Sequence, residues 1–204
     1  AILVEQFIPG REVALEGLLD NHRLKVLALF DKPDPLDGPF FEETIYVTPS
    51  RLTAGCQRDI VAQIEAATGA LGLHIGPVHA ELRVNDQGPW IIELAARTIG
   101  GLCSRTLRFS EQISLEELVL RHALGEPTSD FVRNQPASGV MMIPITKEGR
   151  LRAVCGVEAA RSISGVDEID ITIPVGDRLV PLPEGDRYLG FIFARANQPE
   201  EVEA

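Results

Sequence analysis

The chain has 204 residues, 45% of them hydrophobic, and a formal net charge of -11. That is enough apolar sequence for one large packed domain or two small ones, and it excludes a disordered chain. The acidic balance argues against nucleic-acid and anionic-membrane partners, which are met by clustered Lys and Arg. Cys56, Cys103 and Cys155 are odd in number, far apart and without CxxC spacing, the pattern of reduced, mostly packed thiols rather than of a disulfide framework or zinc site. No apolar run approaches the roughly 18 residues that span a bilayer and no secretory leader pattern opens the sequence, so a cytoplasmic location is expected.

The sequence opens Ala-Ile-Leu-Val-Glu-Gln-Phe-Ile, in which Ile2 to Ile8 reads as a strand, and the start inside an apolar strand without an initiator Met leads us to expect a piece of something longer. Pro9-Gly10 reads as a turn, Val13 to Leu19 as a second strand and Leu24 to Phe30 as a third. The segment from Asp31 to Pro39 is too rich in Pro, Gly and Asp for regular structure. Glu43 to Val47 resumes a strand pattern, and Thr48-Pro49-Ser50 introduces a helix of about twenty residues ending near Gly72, with Ile60, Ile64 and Ala67 among its apolar positions.

Gly76 to Arg97 reads as a hairpin. Val78, Ala80 and Leu82 alternate with His79, Glu81 and Arg83, and Trp90, Ile92 and Leu94 alternate with Ile91, Glu93 and Ala95. Asp86-Gln87-Gly88 suits a three-residue loop. With Asn85 opposite Pro89, Arg83 faces Ile91 and Glu81 lies opposite Glu93, their Cβ atoms roughly 5 Å apart. Two carboxylates so close repel each other, and an oxygen-seeking cation such as Mg²⁺ resolves the repulsion; Arg97 adds a positive fork for a phosphate or carboxylate. From this stretch alone, a metal site and a solvated charged face fit equally. His79 shares the Glu81 face, where it either touches a ligand or serves as a hydrogen-bonded structural residue, and Trp90 is expected to pack into the core.

Thr98 to Leu102 reads as a loop, in which Gly100-Gly101 either admits a phosphate or merely ends the strand. Ser114 to Gly125 is a marked helix, with Ser114 as N-cap, Glu117 completing a capping box and Gly125 closing the C-terminus. The stretch from Glu126 to Ser138 looks like a linker. Beyond it the pattern becomes small α+β, with strands at Gly139–Ile145, Leu151–Cys155, Ile169–Ile173 and Tyr188–Phe193 and a short helix near Val157–Ser162.

Glu81 on one strand followed by Glu93-Leu-Ala-Ala-Arg97 on the next resembles the metal-binding end of the ATP-grasp superfamily. Leu3-Val-Glu-Gln-Phe-Ile-Pro-Gly-Arg-Glu12 resembles the segment in which those chains pass under the adenine. His79-Ala-Glu81, Gly100-Gly101 and the tail from Pro181 to Arg195 look most like the L-amino acid ligases, which join amino acids into dipeptides. The resemblance implies an α+β fold: an ATP-grasp C-terminal subdomain over residues 1–127 with a largely antiparallel sheet and flanking helices, then a small α+β domain over residues 128–204. It further implies ATP and Mg²⁺, with Mn²⁺ an alternative, as cofactors, and small carboxylate and amine substrates such as amino acids.

Carried over residue by residue, Glu5 matches the acidic residue beside the adenine amino group, and the Gln6 carbonyl and Ile8 amide match its backbone contacts. His79 is placed near the nucleotide, and Glu81 and Glu93 match the Mg²⁺ ligands. Arg97 matches the arginine that holds an acyl phosphate or substrate carboxylate. Glu12 either supports the same site or forms a structural ion pair, Glu43 could be a substrate-side carboxylate, and Tyr46 lies where His occurs in related ligases. Ala95 departs from the wider superfamily, which carries a metal-binding Asn there, and leaves the second metal position in question. The alternatives are another ATP-grasp ligase, of biotin carboxylase or phosphoribosylglycinamide synthetase type, and a fragment inactive by itself.

Overall fold

The alternation of Val13, Leu15 and Leu19 with Ala14, Glu16 and Leu18 becomes the middle of the fold. In the computed structural model, which describes residues 2–35, 40–133 and 136–204, both faces of this strand are covered. β1 (Arg11–Asp20) pairs antiparallel with β2 (Arg23–Asp31) on one side and with β4 (Gly76–Asn85) on the other. Asn21 and His22, both at positive φ (46° and 69°), make the two-residue turn between β1 and β2, the geometry that matches strand twist. β3 (Ile45–Thr48), β5 (Gly88–Ala95), β6 (Ala137–Ile143), β8 (Val166–Ile171) and β10 (Gly190–Ala196) complete one eight-stranded sheet in the order β5-β4-β1-β2-β3-β6-β10-β8, with every pairing antiparallel. The sheet therefore runs on across the 126–138 connection through the β3–β6 pairing. Gly139 permits that close approach, because a Cβ there would stand 2.8 Å from the Tyr46 carbonyl oxygen.

The two sheet faces carry different layers. α1 (Ala54–Ala70), capped by the Thr53 hydroxyl at the Cys56 amide (3.3 Å), buries Ile60, Ile64 and Thr68 against Val13, Leu15, Val78, Ala80 and Leu82. Thr68 takes the inward position expected of Ala67, its hydroxyl satisfied by the Glu65 carbonyl (3.0 Å). On the opposite face, the segment holding Leu107, Phe109, Ile113 and α2 (Leu115–Ala123) packs on Ala14, Leu18, Phe30, Tyr46, Val140 and Phe193. Ser114 caps α2 as expected, but Glu117 turns its carboxylate to Arg121 (2.7 Å) one turn on.

Asp31, at the end of β2, ties these layers together. Its carboxylate is 2% exposed and accepts from the Ser50 hydroxyl (2.5 Å) and from the Arg51 amide and Nε (both 3.0 Å). Arg51 in turn reaches Glu203 (2.7 Å) on α4 (Pro199–Glu203). Asp31→Ala strands these donors and is expected to cost about 3 kcal/mol, read as a lower urea midpoint at unchanged slope.

Several sequence expectations change. Residues 2–9 form no strand: Ile2, Leu3 and Val4 are 91%, 81% and 87% exposed, and no described strand lies beside them to supply a ladder. Residues 36–39 of the expected loop and residues 134–135 of the expected linker lie outside the described residues. Leu151 to Cys155 is not a strand; β7 (Gly149–Arg150) instead pairs with β9 (Arg178–Leu179) as a separate two-stranded ribbon. α3 (Val157–Arg161) lies where the short helix was expected, and α4 carried no sequence expectation. Cys103 is buried against Met142 while Cys155 is exposed, so the thiols are not uniformly packed.

The hairpin turns over two residues, Asp86-Gln87, with Asn85 opposite Gly88 and Arg83 opposite Trp90. A bulge between Glu81 and Leu82 then takes up one residue of β5 and restores Glu81 opposite Glu93. Because Trp90 stands opposite Arg83, on the sheet face away from α1, it is 41% exposed rather than in the core, while Ile91 and Leu94 of the same edge strand pack on the α1 side.

Candidate active site

Strand register assembles a charged patch on the face opposite α1. Glu12, Ala14 and Glu16 project from β1, and their direct partners on β4 are Arg83, Glu81 and His79. Each outer pair is a charge pair: Arg83 Nε donates to Glu12 (3.0 Å), and His79 Nδ1 meets Glu16 in a short contact. Lys32, immediately after β2, places its ammonium among Glu12 (2.8 Å), Glu43 (2.5 Å) and Glu81 (3.2 Å). The Tyr46 hydroxyl donates to Glu43 (2.6 Å) and stands 3.4 Å from Glu81.

These surroundings set the protonation states. Burial alone would lower the Lys32 pKa, but the three carboxylates outweigh burial and raise it above the ordinary lysine value. Burial would also raise the Glu81 carboxyl, yet the His79 hydrogen bond and the Lys32 charge hold it down to about 2. Tyr46 is pushed up by burial and the two carboxylates, so it stays a donor. Burial opposes the charge on His79, but Glu16 and Glu81 override it and raise its pKa to about 9.

The His79 shift has a stability consequence. The folded value, about 9, lies above the ordinary 6.5, so the contribution is complete below about pH 6.5 and is lost as pH rises through 9. Its size is about 3 kcal/mol. The metal-free chain is expected to lose stability between pH 6.5 and 9 in urea titrations, and His79→Gln is expected to flatten that limb.

Beside the patch lies a cavity of about 330 Å³ lined by Glu81, Glu93, His79, Arg97, Glu43 and Tyr46, with Gly100, Gly101, Ile99, Cys103, Met142, Tyr188 and Phe191. Arg97 pairs with Glu93 (3.1 Å), both more than half exposed. The structure therefore brings together His79, Glu81, Glu93 and Arg97, and with them Glu43, Tyr46 and Gly100-Gly101, all singled out from sequence. Glu5 and Gln6 lie apart, exposed on the extended N-terminal stretch. Ile8 touches the patch indirectly, its carbonyl accepting from Arg83 (3.1 Å), while the Phe7 ring lies against the same guanidinium (4.7 Å). Glu16 and Lys32 were missed. The signal for Glu16 was available, since Glu12 and Glu16 are spaced to oppose Arg83 and His79 on one face; Lys32 had no such signal, because only the fold brings it to the carboxylates.

The donors suit a hard cation. Glu81 and Glu93 offer carboxylate oxygens to one cavity from opposed strand positions, while its sulfur groups, the protonated Cys103 whose thiol burial raises to about 12 and the Met142 thioether it contacts, are poor ligands for such an ion. Glu12, Glu43 and Glu81 also bring one oxygen each within 4.8 Å of one another, but the Lys32 ammonium already engages them.

This antiparallel sheet with its carboxylate cavity is that of an ATP-grasp protein. Residues 1–106 match the ATP-grasp domain, and the chain belongs to that family. Residues 141–204 match L-amino acid ligase C-terminal domain 2, the branch to which the tail pointed. The L-amino acid ligase of Bacillus licheniformis superposes with a TM-score of 0.83 at 32% identity, over 97% of this chain and 49% of that one. Carnosine synthase 1 of Gallus gallus is 30% identical over 92% of this chain and 20% of its own length. The uncharacterized protein y4rH of Sinorhizobium fredii is 24% identical over 96% of this chain and 40% of its own. The chain thus spans half or less of the length of these relatives. Phosphoribosylglycinamide synthetase of Anaerococcus prevotii, with a TM-score of 0.76 at 16% identity, shares the fold. Among the described residues, no helix is long and apolar enough to cross a membrane.

Proposed function

We propose that the chain is the C-terminal part of an ATP- and Mg²⁺-dependent carboxylate-amine ligase that joins amino acids into a dipeptide through an acyl phosphate. Residues 1–127 form the wall of the ATP cleft and residues 128–204 a small C-terminal domain. The observation that carries this reading is that Glu81, Glu93 and Arg97 line one cavity in a chain ending in the L-amino acid ligase tail.

Glu81 and Glu93 would hold the metal, Mg²⁺ or Mn²⁺, which when bound neutralises phosphate oxygens and draws charge from the transferring phosphoryl group. Glu5 and the Gln6 and Ile8 backbone form the adenine edge. Arg97 orients the substrate carboxylate for attack on the γ-phosphate and then holds the acyl phosphate while an amine displaces phosphate through a tetrahedral intermediate. His79 keeps Glu81 ionised and aimed, and the Ile99, Met142 and Phe191 side chains line the apolar part of the cavity, which excludes water from the acyl phosphate.

The test is ADP and phosphate release by the full-length protein with ATP, Mg²⁺ and pairs of amino acids, with products read by mass spectrometry. Release that rises only with a suitable pair, together with a dipeptide mass, is expected. Release indifferent to every pair would sink the reading. Because the chain spans 49% of the B. licheniformis ligase, the 204 residues alone are expected to turn over little ATP.

A further inference from the structure

We propose that Lys32 is a built-in cation, a positioning residue that fills a three-carboxylate site and fixes Glu81 in the way a metal ion otherwise would. This goes beyond the proposed reaction and holds whether or not the protein uses ATP. Glu12 comes from β1, Glu81 from β4, and Glu43 from the segment before β3, so nothing local to the backbone holds the three together. Each contributes one oxygen, and these oxygens lie within 4.8 Å of one another, a spacing that one ion can serve. The Lys32 side chain is 2% exposed, and its ammonium has three N–H donors for three acceptors at 2.8, 2.5 and 3.2 Å.

The remaining polar groups face the same carboxylates, the Tyr46 hydroxyl donating to Glu43 at 2.6 Å. Arg83 takes the other Glu12 oxygen, and His79 Nε2 and the Tyr46 hydroxyl each lie 3.4 Å from Glu81 Oε1. With Lys32 in place, Glu81 Oε2 is already engaged, and the carboxylate that stands opposite Glu81 in the cavity is Glu93. Without Lys32, the three half-buried carboxylates keep Arg83 and His79 only at their outer oxygens, and the vacated position between them becomes a cation site.

The experiment uses the nucleotide-free chain, with thermal midpoints measured in EDTA and in millimolar Mn²⁺ and with Mn²⁺ affinity measured by calorimetry. Lys32→Met is expected to lower the midpoint in EDTA by about 10 °C. Mn²⁺ is expected to restore most of that loss and to bind the variant at least about tenfold more tightly than the wild type. Adding Glu43→Gln to Lys32→Met is expected to raise the midpoint, the reverse of its effect in the wild type, because it removes a charge left without its cation. If Lys32→Met does not fold in EDTA, it is expected to fold with Mn²⁺ or with Glu43→Gln added. A Lys32→Met chain that gains nothing from Mn²⁺ beyond the wild type, or that Glu43→Gln destabilises further or fails to rescue, overturns the proposal, since a lysine needed only for packing would behave in that way.

Discussion

Glu93→Gln in the full-length protein is expected to lower kcat by about 10²- to 10³-fold while leaving the urea midpoint unchanged within error. The two halves of this expectation have separate causes. Glu93 stands on the edge strand, its side chain 54% exposed, and pairs with Arg97 at a comparably open position. Exposed pairs of this kind contribute little to folding, so an isosteric amide should leave the fold intact. In its proposed role as a metal ligand, however, Glu93 supplies a charge that an amide lacks. Glu81→Gln is a less clean test, because Glu81 also holds Lys32 and His79 and its loss would disturb both function and stability.

Arg97→Met is expected to cost about 10²-fold in kcat, with a smaller change in KM for the amino acid substrates. The guanidinium contacts Glu93 and the neighbouring Thr98 carbonyl (2.9 Å), so its truncation should barely alter stability. Its proposed work falls in the transition state, where the attacking carboxylate and the phosphoryl oxygens need a planar pair of donors. Arg97→Lys keeps the charge but not the fork, and steady-state kinetics should place it between wild type and Met. Equal losses in kcat/KM for Lys and Met would point to geometry as the dominant requirement; an unchanged kcat in Met would remove Arg97 from the reaction.

Much of this architecture was legible in the residues. Alternation in Val78 to Leu82 and Glu93 to Ala95 gave the hairpin and placed Glu81 opposite Glu93, although through a three-residue loop where the fold uses a two-residue loop and a bulge that compensate. Periodicity cannot see such a bulge, because it counts positions along one strand and not across two. Trp90 failed as a core residue because the two-residue turn places it opposite Arg83, on the face away from α1, a register that a local pattern does not fix. Ile2 to Ile8 read as a strand from composition, yet a strand also needs a neighbour, and none of the described strands provides one. Lys32 illustrates the same limit at the site. Its partners lie 20, 11 and 49 positions away in sequence, and only the closing of the sheet through β1, β2 and β4 makes them one cluster.

The central claim is that Glu81 and Glu93 together hold the metal that accompanies the nucleotide. Mn²⁺ titration of the full-length protein with saturating ATP, followed by electron paramagnetic resonance, tests it most directly when wild type and Glu93→Gln are compared. The account predicts at least about tenfold weaker Mn²⁺ binding in the variant, with nucleotide binding in EDTA unchanged. Equal Mn²⁺ affinity in the two proteins would contradict it.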